Sequence, residues 1–181
     1  MKIVVNGFLL FWVSIVTMGI SPADQVAETP EKLLRIIRLL PMDDEISGWK
    51  RSEKFLEATK EEDFYKLFNG GAALYLKHGA QSFGGQSYKG PKATELEVYI
   101  FNQGIPQNAQ DLYENPFAKP SHSREIANLG EKARIDMGPL FCYGVEFVQK
   151  GFFVRVIIQD RTEEGLNVAI SFARSISKRI K

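Results

Sequence analysis

The side chains best suited to metal binding or nucleophilic chemistry are scarce in this sequence. There are two histidines, His78 and His122, and one cysteine, Cys142. A structural zinc site needs about four converging nitrogen or sulfur ligands, and the H-E-x-x-H motif of zinc proteases is missing. Both histidines lie next to turn-forming residues, so we expect them in exposed loops. Cys142 lies within the apolar run Leu140–Tyr143, which predicts a buried and inert thiol.

The glycine-rich stretch 79–92 resembles phosphate-binding and nucleophile motifs only in part. Gly79 and Gly84 have the glycine spacing of a phosphate loop, but Gly85 occupies the position that requires lysine. Ser82 lies in the string GAQSFG, whose spacing differs from the G-x-S-x-G of many hydrolases. The dinucleotide motif G-x-G-x-x-G is absent, so we predict no cofactor and interpret the stretch as a twisted hairpin or loop.

Two carboxylates share one face of a predicted strand. Glu95 and Glu97 are two residues apart, which places them about 7 Å from each other. That separation resembles the carboxyl pair of a glycosidase, but solvated charges on a strand are the commoner reason for such a pattern. The sequence therefore assigns no catalytic, cofactor-binding or metal-binding residue.

Residues 1–23 have the pattern of a secretory signal peptide. Lys2 precedes a run without charge from Ile3 to Ile20, and the small residues Ser21 and Ala23 occupy the −3 and −1 positions of a cleavage site. We predict an exported protein, periplasmic or extracellular, with one domain over 24–181. The alternative is an uncleaved inner-membrane anchor formed by residues 3–20.

The charge balance excludes some classes of partner. The chain has 23 Lys and Arg against 22 Asp and Glu, and loss of Lys2 with the signal peptide leaves 22 of each. A dedicated nucleic-acid-binding protein would have a basic excess, so we expect no nucleic-acid partner. A single cysteine also excludes an internal disulfide, so the hydrophobic core must stabilise the domain.

Hydrophobic periodicity predicts an α+β fold, with a single antiparallel sheet of about five strands, N-terminal helices and a C-terminal amphipathic helix packed on the sheet. The predicted helices begin at Thr29-Pro30-Glu31 and run to Leu40, begin at a Thr59 cap and run over 59–69, and begin at a Thr162 cap. The predicted strands are 72–76, 95–101, 131–137 and the two arms of a hairpin, 142–149 and 152–159, with a helical turn near 108–113. The last helix carries its apolar face at Leu166, Ala169, Ile170, Ala173, Ile176 and Ile180.

Several landmarks resemble a family of exported bacterial proteins known as domain-of-unknown-function family 6599. They are Leu39-Leu40-Pro41, Gly48-Trp49, the run Leu67–Leu76 with Gly79, the strand 95–101, the turn 108–113 and the hairpin 147–154. The resemblance covers most of the mature chain and implies export and a compact α+β domain, without a site. Many members of that family resemble lipoproteins, and this chain differs because it lacks the anchoring cysteine.

Two functions fit these features. The first is a non-catalytic binding, sensory or envelope-associated module with an unidentified ligand or envelope protein as partner. Its contact with a membrane would come only from the signal segment, if that segment is not cleaved. The alternative is a hydrolase-type enzyme whose site is assembled from the loops 79–92 and 102–124.

Overall fold

The structure is a computed structural model that describes Glu31 and residues 35–181. The predicted signal peptide 1–23 and the predicted helix start at Thr29-Pro30 lie outside the described residues. Residues 35–37 are helical and lead into a turn. Ile36, Leu39 and Leu40 are buried in the core, whereas Ile37 points to solvent.

The sheet is antiparallel throughout, which confirms the predicted α+β class with a single antiparallel sheet. It has eight strands rather than about five: β1 (Lys50–Arg51), β2 (Leu56–Ala58), β3 (Ser82–Lys89), β4 (Glu95–Asn102), β5 (Ser123–Glu125), β6 (Lys132–Asp136), β7 (Tyr143–Gln149) and β8 (Phe152–Ile158). Their order is β1-β3-β4-β8-β7-β6-β5, and β2 also pairs with β3. Four predicted strands are present as β4, β6, β7 and β8. The sequence missed β3 and three edge strands of two or three residues.

Four helices have defined bounds: α1 (Glu61–Phe68), α2 (Ala72–Lys77), α3 (Pro106–Glu114) and α4 (Glu163–Arg179). The predicted strand 72–76 is wrong, because the chain continues from a 3-10 turn at Asn69–Gly71 directly into α2. The predicted Thr59 cap is also wrong, since Lys60 occupies that position and makes no side-chain cap bond. No helix in the described part of the chain has both the length and the apolar character needed to cross a membrane.

The glycine-rich stretch 79–92 supplies β3, which forms a hairpin with β4, so of the two predicted alternatives the hairpin is present and the loop is not. The glycines of β3 serve close packing. A Cβ atom built on Gly84 would come within 2.4 Å of the Ile36 side chain and 2.8 Å of the Phe55 ring. Real Cβ atoms do not approach other atoms this closely, so a side chain here would push residues 35–40 away from the sheet. Glycine in a strand often marks such an approach.

The first face of the sheet is covered by α4 and by residues 35–40. Thr162 caps α4 as predicted, with its side-chain oxygen accepting a hydrogen bond from the Gly165 backbone at 3.1 Å. Phe172, absent from the predicted apolar face, is fully buried and meets Trp49 edge-on at 5.6 Å. Ile170, by contrast, is only half-buried. The face of α4 that packs on the sheet is therefore centred nearer to Phe172 than to Ile170, which differs from the prediction.

The second face is covered over one end only. Helices α1, α2 and α3 pack there over an aromatic cluster that includes Phe83, Phe101 and Phe153. Tyr75 of α2 stacks on Phe101 with ring centroids 4.2 Å apart and planes 7° from parallel. The remaining end of this face carries charged and polar side chains, and these form the candidate site.

Candidate functional site

A single row of cross-strand neighbours brings four charged side chains together on the second face. The register places Leu56, Gly85, Tyr99, Arg155, Glu146, Arg134 and Glu125 opposite one another across six strand pairings. Directly opposed side chains on one face of a sheet lie about 5 Å apart and interact. We call the four residues Arg134, Asp136, Glu146 and Arg155 the ion-pair row. Asp136 lies two residues after Arg134 in β6, on the same face of the sheet.

Arg134 and Glu146 form the buried centre of the ion-pair row. Their side chains are 2% and 1% exposed, and the Arg134 Nε atom donates to Glu146 Oε2 at 2.7 Å. Arg134 also donates to the backbone carbonyl of Tyr113 at 2.8 Å, and its guanidinium lies 3.9 Å from the centre of the Tyr113 ring. The arginine is thus held by a carboxylate, a carbonyl and an aromatic face, which fixes the end of α3 onto β6.

Arg155 connects this buried pair to the surface. Its Nε lies 3.0 Å from Glu146 Oε1, and its Nη2 lies 3.1 Å from Asp136 Oδ2. The Arg155 side chain is 34% exposed, whereas that of Asp136 is 7% exposed. Asp136 Oδ1 in turn accepts a hydrogen bond from the Gly138 backbone at 3.0 Å. Two arginines and two carboxylates therefore balance in charge and hold one another in place.

The titration behaviour of the surrounding groups follows from burial. Burial raises the pKa of Glu146, and the guanidinium groups of Arg155 and Arg134 act against that rise. Burial is also the main cause that raises the pKa of Tyr99 and of Tyr113 to about 12. Both tyrosines are therefore protonated at neutral pH, which prevents them from acting as general bases.

A cavity of about 380 Å³ opens at the β5–β6 end of the row. We call it the edge cavity. Its charged lining has three acidic and three basic side chains: Glu114, Glu125, Glu131, Lys119, Lys132 and Arg134. Lys132 donates to Glu114 Oε1 at 2.8 Å, which is the main reason that the pKa of Glu114 is lowered. The volume lies in the range of small-molecule sites, and the lining is polar and balanced in charge.

Comparisons with known proteins leave the family open. No family model matches this chain. No curated protein matches it either. Among solved structures, the chain is similar to the crystal structure of the extracellular domain of PknH from Mycobacterium tuberculosis, at 12% identity and a TM-score of 0.49. The match covers 78% of this chain and 94% of that one. At this level of similarity neither the fold nor the ligand of that protein transfers to this chain. The resemblance to family 6599 stays a prediction.

The residues considered for chemistry in the sequence do not come together as a site. Glu95 is exposed and pairs with Lys89 at 3.8 Å, and Glu97 is half-buried farther along the same strand. His78 is half-buried and bonded to Asn115 at 3.0 Å, which corrects its prediction as an exposed loop residue. His122 is exposed, as predicted. Among the described residues, no three His, Cys, Asp or Glu side chains form a metal-binding group.

Cys142 is less buried than predicted. The thiol is half-exposed, because the neighbouring Phe141 and Leu140 point outward with exposed fractions of 78% and 81%. Partial burial, followed by the charge of Asp136, raises the pKa of Cys142. The thiol is therefore accessible but mostly protonated at neutral pH, which opposes nucleophilic reactivity.

The sequence missed the ion-pair row because its members lie on three strands, β6, β7 and β8, and they meet only when these strands pair in register. One signal was present: Arg134 and Asp136 alternate with Ala133 and Ile135, which marks a strand with one polar face. Arg155 interrupts the apolar run 152–158 at a position facing the same side. Pairing these polar positions requires the strand register, and the register was not available from periodicity alone.

Proposed function

We propose that this chain is an exported, non-catalytic binding module that takes a small ligand in the edge cavity. The observation that carries the proposal is the cavity itself, whose floor is fixed by the buried contact between Arg134 and Glu146. Side chains that are held by ion pairs with one another, and by a hydrogen bond to the backbone carbonyl of Tyr113, form a rigid surface, as a binding site requires. They are poorly placed to exchange protons with a substrate.

The charge pattern of the edge cavity suggests the class of ligand. Three carboxylates and three cations line it, so a ligand that carries a strong net charge would meet as much repulsion as attraction. A zwitterion such as a free amino acid or a short peptide presents both signs at once. Its amino group can face the glutamates while its carboxylate faces the lysines, which is the complementarity that gives specificity.

A thermal-shift screen with amino acids, dipeptides and neutral sugars tests this proposal. A ligand that binds only the folded state raises the melting temperature in proportion to its occupancy. The double variant Glu114→Gln/Lys132→Gln removes one cavity pair without changing net charge. Its matched control, Glu95→Gln/Lys89→Gln, removes an ion pair near the opposite edge of the sheet.

We expect a zwitterionic compound to stabilise the parent and the control, and to lose this effect in the cavity variant. A ligand that stabilises all three proteins equally would contradict binding in the edge cavity. Hydrolysis of nitrophenyl esters, phosphates or glycosides by the purified protein would contradict a non-catalytic role, provided that Glu146→Gln abolishes it. That result would favour the hydrolase alternative.

Export is tested separately by fractionation and amino-terminal sequencing. We propose that the mature chain begins at Asp24 and occupies the periplasm or the exterior. The expected amino-terminal sequence of the exported protein is Asp-Gln-Val. Recovery of intact Met1 in washed membranes would mean that residues 3–20 remain as an anchor.

A further inference from the structure

Positive charge is concentrated where the described chain begins and where it reaches Lys181. Two neighbouring cavities lie there, of about 510 Å³ and about 210 Å³, and Arg179 lines both. Together they are lined by six cationic side chains: Arg35, Arg38, Arg174, Lys178, Arg179 and Lys181. The only acidic side chain among their lining residues is Glu45. We call these six residues the basic surface.

Most of the charge of the basic surface is available to a partner. Glu45 contacts Arg179 through both carboxylate oxygens, each 2.5 Å from the same nitrogen, so this acid compensates one of the six cations. Arg35, Arg38, Arg174, Lys178 and Lys181 are exposed. No ion pair to any of these five is formed within the part of the chain that the structure describes. Five cations thus face outward on a protein whose predicted mature charge is zero.

The basic surface also lies beside the entry of the amino-terminal segment. Residues 21–34 connect the uncharged run 3–20 to Arg35, which itself lines the smaller cavity. Fourteen residues reach at most about 50 Å when fully extended. If residues 3–20 stay in a bilayer, the basic surface is therefore held near the lipid headgroups. If residues 3–20 are cleaved, only the charge of the basic surface remains to attract the protein to the bilayer.

We propose that the basic surface docks on a bilayer rich in anionic phospholipid. A headgroup layer offers many phosphates over an area as wide as this surface, and each Lys or Arg near such a layer contributes about 1 kcal/mol, a factor of about five in binding. The proposal goes beyond the ligand binding proposed above and rests on the proposed export. It places the membrane contact on α4 and on residues 35–38, beyond the predicted signal segment.

Lysine acetylation of the full chain on vesicles tests the proposal whether or not residues 3–20 insert. The probes are vesicles of phosphatidylcholine alone and vesicles with equal parts of phosphatidylglycerol and phosphatidylcholine. Lys178 and Lys181 report on the basic surface. Lys77 of α2 and Lys92, which lies beside the first turn of α4, are internal controls on the same molecule. We expect acetylation of Lys178 and Lys181 to slow at least fivefold on the anionic vesicles only, and the protection to vanish in 0.5 M salt.

Two matched variants assign the effect to the basic surface. Arg174→Gln/Lys178→Gln removes two exposed cations from α4, and we expect the lipid concentration that half-protects Lys181 to rise about 30-fold. Lys77→Gln/Lys92→Gln removes two exposed cations elsewhere and should leave that concentration unchanged. Circular dichroism melting checks that both variants fold like the parent.

Three results would overturn the proposal. Lys178 and Lys181 could stay unprotected on anionic vesicles, or they could be protected equally on both kinds of vesicle, which would mean contact without charge recognition. A single-stranded oligonucleotide could also protect them at lower concentration than the lipid does, which would assign the surface to nucleic acid. Each of these results leaves the Asp-Gln-Val amino terminus untouched, so failure here is distinct from failure of export.

Discussion

Replacing Glu146 by glutamine tests whether the ion-pair row depends on its central charge. The change preserves the size of the side chain and removes the negative charge that lies 2.7 Å from Arg134. Because the Arg134 side chain is only 2% exposed, water cannot take the place of the lost carboxylate. Removing one partner of a buried ion pair costs about 3–5 kcal/mol. We expect the low end, about 3 kcal/mol, because the glutamine oxygen and the Tyr113 carbonyl still accept hydrogen bonds from Arg134.

Urea unfolding at pH 7, followed by circular dichroism, measures this cost, with Asp136→Asn as the control. Asp136 also pairs with an arginine, but Arg155 is 34% exposed and can be solvated when the pair is lost. We therefore expect Asp136→Asn to lower the free energy of unfolding by about 1 kcal/mol or less. Equal costs for the two variants would refute the argument that burial decides the contribution of each pair.

A double substitution separates the loss of the pair from the burial of a lone charge. Arg134→Met/Glu146→Leu removes both charges and replaces them with apolar groups of similar size. Such replacements of buried pairs are often neutral or stabilising. We expect the double variant to be more stable than Glu146→Gln by at least about 1 kcal/mol. A double variant less stable than the single one would show that the pair itself, and not the stranded arginine, accounts for the effect.

Three further predictions concern other parts of the fold. Phe172→Ala should lower the free energy of unfolding by about 3–5 kcal/mol, because the ring is fully buried. Ser171→Ala, on the exposed side of α4, should change the free energy of unfolding by less than about 0.5 kcal/mol. Similar melting temperatures for the two variants would contradict this packing. Contact with Arg179 lowers the pKa of Glu45 to about 2 from its usual value of 4.5. As the pH falls from about 5 to 2, the free energy of unfolding of the parent should therefore fall by about 1 kcal/mol more than that of Glu45→Gln. Urea unfolding of both proteins across that pH range measures the difference. Cys142 should react with a thiol reagent in the native protein, with a rate that rises about tenfold per pH unit up to pH 8; a thiol that reacts only in denaturant would contradict its half-exposed position.

The sequence predicted those elements whose local pattern and packing agree. Strand β4 alternates apolar and polar residues, the β7–β8 hairpin turns at Lys150-Gly151 with positive φ at both positions, and Thr162 caps α4. In each case the residues that determine the element lie within the element itself. Periodicity and turn chemistry were therefore sufficient.

The predictions failed where distant residues decide the structure. The run 72–76 is short and apolar, which suits a strand or a helix equally, and stacking of Tyr75 on Phe101 favours the helix. Gly84 lies in a strand whose close packing against Ile36 requires glycine, and this contact joins residues 48 positions apart. The ion-pair row depends on the register of three strands, and helix α3 adds the contact of Tyr113 with Arg134. No local pattern could indicate such contacts.

The order of strands in the sheet has a consequence for how the chain folds. The two central strands are β4 and β8, and Asn102 pairs with Phe152 fifty residues later. Both hydrophobic faces use β8, and the first face also uses α4, so neither core is complete before β8 is present. Closing a loop of this length precedes the gain from the contacts, which slows folding. The β7–β8 hairpin is the local unit that can form first, and β4 must then find it. Until β8 has been synthesised neither core is complete, so the nascent chain stays unfolded, and this is the state that passage through a narrow translocation pore would require of the exported protein proposed above.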